Sequence, residues 1–153
     1  MTVPSSASAL ALLHPACVHF PVVLLSVGGV CEATGYLLGR ESAIRTGGWL
    51  TIVGTLTLLP TMLTGYLAAY SVSVPPAAER TLAMHELNGW LVLALFVGLL
   101  FWKGWYRGSV PTGQRRPYAI VQLAAVGLVV YGAVLGGELV YLHGMGVRAV
   151  GGP

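Results

Sequence analysis

Four apolar runs, each ~20 residues or longer, decide what this chain can fold into, because ~20 helical residues cross ~30 Å of hydrocarbon. They run from about Val18 to Leu38, Trp49 to Tyr70, Arg80 to Trp102 and Tyr118 to Leu142, the third becoming fully apolar after Asn88. Lipid offers no partner to a backbone N–H or C=O, so each run has to be a helix. Only 8% of the residues are charged and the mean hydropathy is +0.78. Ordinary soluble domains carry about 25% charged residues. The expected fold is therefore all-α, an integral membrane four-helix antiparallel bundle, forming a single domain over residues 1–153. No internal repeat, low-complexity tract or second domain is apparent.

The charges flank the spans and read as topology signals. A net charge of +3 raises the question of nucleic acid, but position answers it: basic residues at span ends orient a chain in a membrane. Arg40 and Arg45 follow the first run, and Lys103, Arg107, Arg115 and Arg116 follow the third. Only Arg80 and Arg148 fall on the other side. The positive-inside rule then places both loops in the cytoplasm and both termini on the extracytoplasmic side. Trp49, Trp102, Trp105, Tyr106 and Tyr118 form an expected aromatic belt at the loop level. The N-terminal stretch MTVPSSASALALL has no basic n-region and reads as a retained lead-in. Pro60 is expected to kink the second helix, with Thr57, Thr61 and Thr64 satisfying the carbonyls it frees. Glycines on three of the helices, including the Gly132-x-x-x-Gly136 spacing, suit close helix approach or a flat ligand against the backbone.

The histidines carry the functional signal. His14 and His19 sit at the outer start of the first helix, His85 at the outer start of the third, and His143 at the outer end of the fourth. All four share one side of the membrane. At ~1.5 Å per residue, His19 and His85 lie roughly 31 and 33 Å from Arg40 and Arg107, while His14 and His143 lie roughly 39 and 40 Å from Arg40 and Arg116. Depth therefore pairs His19 with His85 and His14 with His143. His14 and His19 themselves are about 140° apart on an ideal helix and do not share one ligand unless Pro15 reshapes the turn. Two such pairs suit two bis-histidine b-type haems, or one haem and a second metal. Exchanged partners, or one haem on two of the four, are also compatible with the spacing. The alternative for each histidine is a hydrogen-bonded interfacial side chain.

Other polar residues fill supporting roles. Glu86 and Asn88 are placed to orient His85, and Glu138 precedes His143 on the same helix. Glu32 is expected inside the membrane, as a proton or quinone site or as a hydrogen-bond partner of a neighbouring Thr or Tyr. Met84 and Met145 flank histidines and keep copper in view. Cys17 and Cys31 are roughly 21 Å apart along one helix, too far for a disulfide within the chain. No C-x-x-C-H motif for covalent haem attachment occurs.

HPACVHFP near the start, Met84-His85-Glu86 opening the third helix, and GGELVYLHGMGV closing the fourth resemble a bacterial family of four-helix predicted membrane proteins, the domain of unknown function 2231. Some relatives in that family are joined to Rieske iron–sulfur domains. The resemblance thus implies a redox setting and favours His14, His19, His85 and His143 as the functional set. This chain has no Rieske cysteines, so a redox partner would be a separate polypeptide.

The expected function is a membrane b-type cytochrome-like electron-transfer subunit of a respiratory or photosynthetic complex, not an enzyme by itself. It would hold one or two haems near the extracytoplasmic face of a bacterial cytoplasmic (inner) membrane. Its partners would be lipid, other membrane subunits, an extracytoplasmic cytochrome or iron–sulfur protein, and a quinone. The alternatives are a copper- or zinc-binding membrane protein and a cofactor-free anchor subunit.

Overall fold

A computed structural model describes residues 13–145. The N-terminal lead-in and Arg148 lie outside the described residues. Among these there are only helices and short turns: α1 (His19–Leu38), α2 (Glu41–Ser71), α3 (Glu79–Trp105) and α4 (Arg115–Tyr141). Residues 13–17 form a further helical stretch, which a turn at Val18 joins to α1. Single 3-10 turns, Pro76–Ala78 and Thr112–Gln114, lead into α3 and α4. With these lead-ins, all four helices are long and apolar enough to cross a membrane. The chain is a multi-pass membrane protein.

Helix ends follow local chemistry. Gly39 adopts a left-handed φ of 68° and lets Arg40 N–H donate to the Gly35 carbonyl at 2.9 Å, closing α1 tightly enough for α2 to begin at Glu41. At the other end of the bundle Gly144 does the same for α4. Its φ is 65°, its N–H donates to the Val140 carbonyl, and Met145 N–H donates to that of Leu139. The glycine of the His143-Gly144 motif is thus a helix stop. α2 continues across Pro60, and the hydroxyls of Thr57, Thr61 and Thr64 each donate to a carbonyl one turn back.

Leu25, Phe96, Leu99, Tyr118 and Ala125 fill the interior, while Phe20, Leu59, Phe101 and Ile120 point outward where acyl chains would lie. α1 and α2 pack most closely. A Cβ on Gly28 would meet Leu50 Cβ at 2.7 Å, and one on Gly35 would meet the backbone nitrogen of Ile44 at 2.7 Å. The Gly132/Gly136 spacing serves a different end: these glycines make room for the Asn88 and His85 side chains of α3.

One member of the expected aromatic belt lies elsewhere. Trp49 and Trp105 are exposed, but Tyr118 is fully buried, edge-on to Tyr36 at 5.2 Å and to Trp102 at 5.6 Å. Trp102 is held by donating to Gln114 Oε1 at 2.7 Å.

Several contacts in the tertiary structure recur at one sequence spacing. His14 contacts Thr61 and Gly65, and His85 contacts Gly132 and Gly136. Each member of the second set lies 71 residues after its counterpart in the first. Glu32 pairs with Lys103, and Gln122 with Thr51, again 71 residues apart. The polar and glycine contacts of α1–α2 and α3–α4 thus stand in one register, 71 residues apart.

Candidate functional site

Two of the four histidines are held in the same way. His14 is half-buried on the stretch preceding α1, and its Nδ1 lies 3.0 Å from the Thr61 carbonyl and 3.4 Å from Thr64 Oγ1. His85, half-buried on α3, places its Nδ1 3.1 Å from the Gly132 carbonyl. A carbonyl only accepts, so in both rings Nδ1 carries the proton and Nε2 presents its lone pair. Each ring also rests on a glycine. A Cβ on Gly65 would meet His14 Cε1 at 2.9 Å, and one on Gly136 would meet His85 Cε1 at 3.3 Å.

This differs from the depth pairing. Rise along a helix axis does not report which way a side chain points, and the two hairpins carry His14 and His85 at equivalent positions. His19 is exposed on the outer surface of α1. His143 is half-buried in the turn after α4, where its backbone N–H donates to the Glu138 carbonyl at 3.2 Å.

The supporting residues divide similarly. Asn88 is buried and donates from Nδ2 to the Leu128 carbonyl at 3.0 Å, tying α3 to α4 rather than orienting His85. Glu86 is half-buried and its charge is felt at His85. Glu138 is half-buried on the last turn of α4, and its carbonyl caps the helix. Among the described residues, no group of three or more His, Cys, Asp or Glu converges as a metal cluster.

A second polar cluster occupies the loop side. Glu32 on α1 is fully buried; its Oε1 accepts from Lys103 Nζ at 2.5 Å and its Oε2 from Gln122 Nε2 at 2.9 Å. Gln122 Nε2 also lies 3.3 Å from Thr51 Oγ1. Each helix therefore contributes one polar residue. Lys103, expected as a loop-side topology charge, instead turns inward with its side chain only 14% exposed. Gly48 makes room for its ammonium group. Eighteen residues separate His14 from Glu32, roughly 27 Å of helix, so the clusters lie at opposite ends of the bundle.

Thr61, Gly65, Gly132, Thr51, Lys103, Gln122 and Tyr118 were not assigned to a site from sequence. The recurrence at 71 residues of His with His, Gly with Gly and Glu with Lys was the signal available.

Comparison with protein families gives one assignment: the model described as "Predicted membrane protein (DUF2231)" matches residues 11–149. Neither the curated proteins nor the solved structures contain a match.

Proposed function

We propose, for a chain that belongs to the DUF2231 family of predicted membrane proteins, that it is a b-type cytochrome-like electron-transfer subunit in which His14 and His85 would hold one haem. The observation that carries this reading is the matched pair of imidazoles, each with Nδ1 fixed on a backbone carbonyl of the next helix. Metal-ligating histidines are ordinarily held in this way by their second nitrogen, which sets the tautomer and the ring plane. Two nitrogen donors meet the axial demand of haem, whereas structural zinc takes four protein ligands and catalytic zinc three.

Haem bound there would supply reversible one-electron transfer. The chain's own part is to ligate, orient and enclose. Thr61 and Gly132 fix the rings through their carbonyls, and Gly65 and Gly136 let each ring lie against a helix backbone. Arg40, Arg45, Arg107, Arg115 and Arg116 still favour a cytoplasmic loop side. On this reading the histidines lie toward the extracytoplasmic face of a bacterial cytoplasmic membrane, and the electron partner is another membrane subunit or an extracytoplasmic cytochrome or iron–sulfur protein.

A reduced-minus-oxidised visible spectrum of protein purified from haem-replete cells tests the assignment. A low-spin signal is expected that His14→Ala and His85→Ala each abolish, and that His19→Ala and His143→Ala leave in place. Absence of any haem signal, or stoichiometric copper or zinc without iron, overturns the cytochrome reading. Loss of the signal in His19→Ala overturns the ligand assignment.

A further inference from the structure

The four helices do not close evenly. α3 packs on α4, α4 on α1 and α1 on α2, while α2 and α3 approach each other far less, leaving the loosest seam of the bundle between them. Among the described residues a single hydrogen bond crosses that seam: Trp90 Nε1–H on α3 donates to Tyr66 Oη on α2 at 3.2 Å. Both side chains are exposed, Tyr66 at 37% and Trp90 at 52%. A phenol is donor and acceptor at once. Here its oxygen accepts from the indole, and no hydrogen bond among the described residues uses its O–H. A donor left unmet against hydrocarbon is costly. The hydroxyl is therefore set to receive an acceptor that arrives through the lipid.

We propose that the α2–α3 seam is a docking site for a quinone, with Tyr66 O–H donating to one quinone carbonyl and the Trp90 ring lying against the quinone ring. The seam is flanked by the outward side chains of Leu63 and Leu87, so its ligand has to be soluble in lipid. The free donor selects a carbonyl oxygen, and an exposed indole favours a flat ring beside it. Position supplies the remaining constraint. Tyr66 follows Gly65, on which the His14 ring rests, and Trp90 stands five residues after His85, roughly 7.5 Å along α3. Naming a redox carrier rests on the reading of His14 and His85 as a haem site. A lipophilic, planar carbonyl compound beside an electron-transfer centre is a quinone. A lipid ester offers the carbonyl but neither the ring nor the redox chemistry.

Tyrosine and tryptophan at a membrane face ordinarily anchor a helix among headgroups. Tyr70 and Tyr141, both 87% exposed at helix ends, fit that role. Tyr66 and Trp90 differ from them in two respects. They lie further in, five residues before the end of α2 and eleven after the start of α3. They also bond to each other across the seam, and the indole N–H, by taking the phenol lone pair, turns the phenol proton away from Trp90.

The test is infrared spectroscopy of the full-length protein in phosphatidylcholine vesicles with a decyl-substituted para-benzoquinone, isotope-labelled at its carbonyls. A quinone carbonyl band displaced to lower frequency is expected. Tyr66→Phe should return it to the position of free quinone and weaken binding about fivefold, the usual effect of losing one hydrogen bond. Trp90→Leu removes both the ring and the bond that orients the phenol, and should weaken binding further. If Tyr66→Phe does not fold, Trp90→Phe keeps a ring, releases the phenol and should move the displaced band. No displaced band with wild-type protein, or one that survives Tyr66→Phe unchanged, overturns the proposal. Ether-linked phosphatidylcholine has no ester carbonyl, and the displaced quinone band is expected there as well. A Tyr66-dependent shift of the lipid ester band with none in the quinone would assign the hydroxyl to lipid and overturn the quinone site. The displaced band is expected to persist in His14→Ala and His85→Ala, so this site and the haem assignment fail separately.

Discussion

The two ends of the bundle use one register in opposite ways. At the terminal side, equivalent positions carry like residues: His14 with His85 and Gly65 with Gly136. At the loop side they carry unlike residues: Glu32 with Lys103 and Thr51 with Gln122. Like donors suit a ligand that presents the same demand in two directions. Complementary residues satisfy each other and need nothing large between them.

Substitutions that act on one end only sharpen this contrast. The largest effect is expected from Lys103→Ala, which leaves the Glu32 carboxylate buried without its cation and should lower stability by about 3–5 kcal/mol. Chemical unfolding in detergent measures it. The exchange Glu32→Lys/Lys103→Glu should recover most of that loss if the two positions are interchangeable. A double variant no more stable than Lys103→Ala would break the comparison.

Gly65→Ala should come next, at about 1–3 kcal/mol, because its new methyl would overlap the His14 ring and must displace it. Gly136→Ala should disturb His85 less, since the approach there is longer. Both should move the low-spin haem signal, whereas an alanine at Gly89, which meets open space, should not.

A smaller loss, about 1 kcal/mol, is expected for Asn88→Ala, which removes the bond to the Leu128 carbonyl. His19→Ala, on the outer surface, should stay within about 0.5 kcal/mol of wild type. Equal losses at Asn88 and His19 would show that the polar contact between α3 and α4 contributes little.

Much of the candidate site was visible as residue types but not as partners. Of the four histidines, His14 and His85 each fix Nδ1 on a carbonyl of the next helix, which the sequence does not show because direction around a helix depends on how it packs. Tyr118 looked like a belt residue from its place at a span end and is instead the edge-on partner of Tyr36 and Trp102. Lys103 looked like a topology charge because it stands at a span end near the loop-side arginines, and its pairing with Glu32 is a tertiary contact. The histidine before Gly144 drew notice as a motif, but the glycine's left-handed backbone gives the pair a local reason.

The sequence by itself determined the helices, their number and their membrane setting. Apolar length and the unmet backbone bonds of lipid leave no other outcome for four such runs. Tertiary structure alone decided which polar residues meet, because that depends on helix rotation and on glycines that admit a neighbour's side chain. It also disclosed the 71-residue spacing shared by the contacts of the two hairpins.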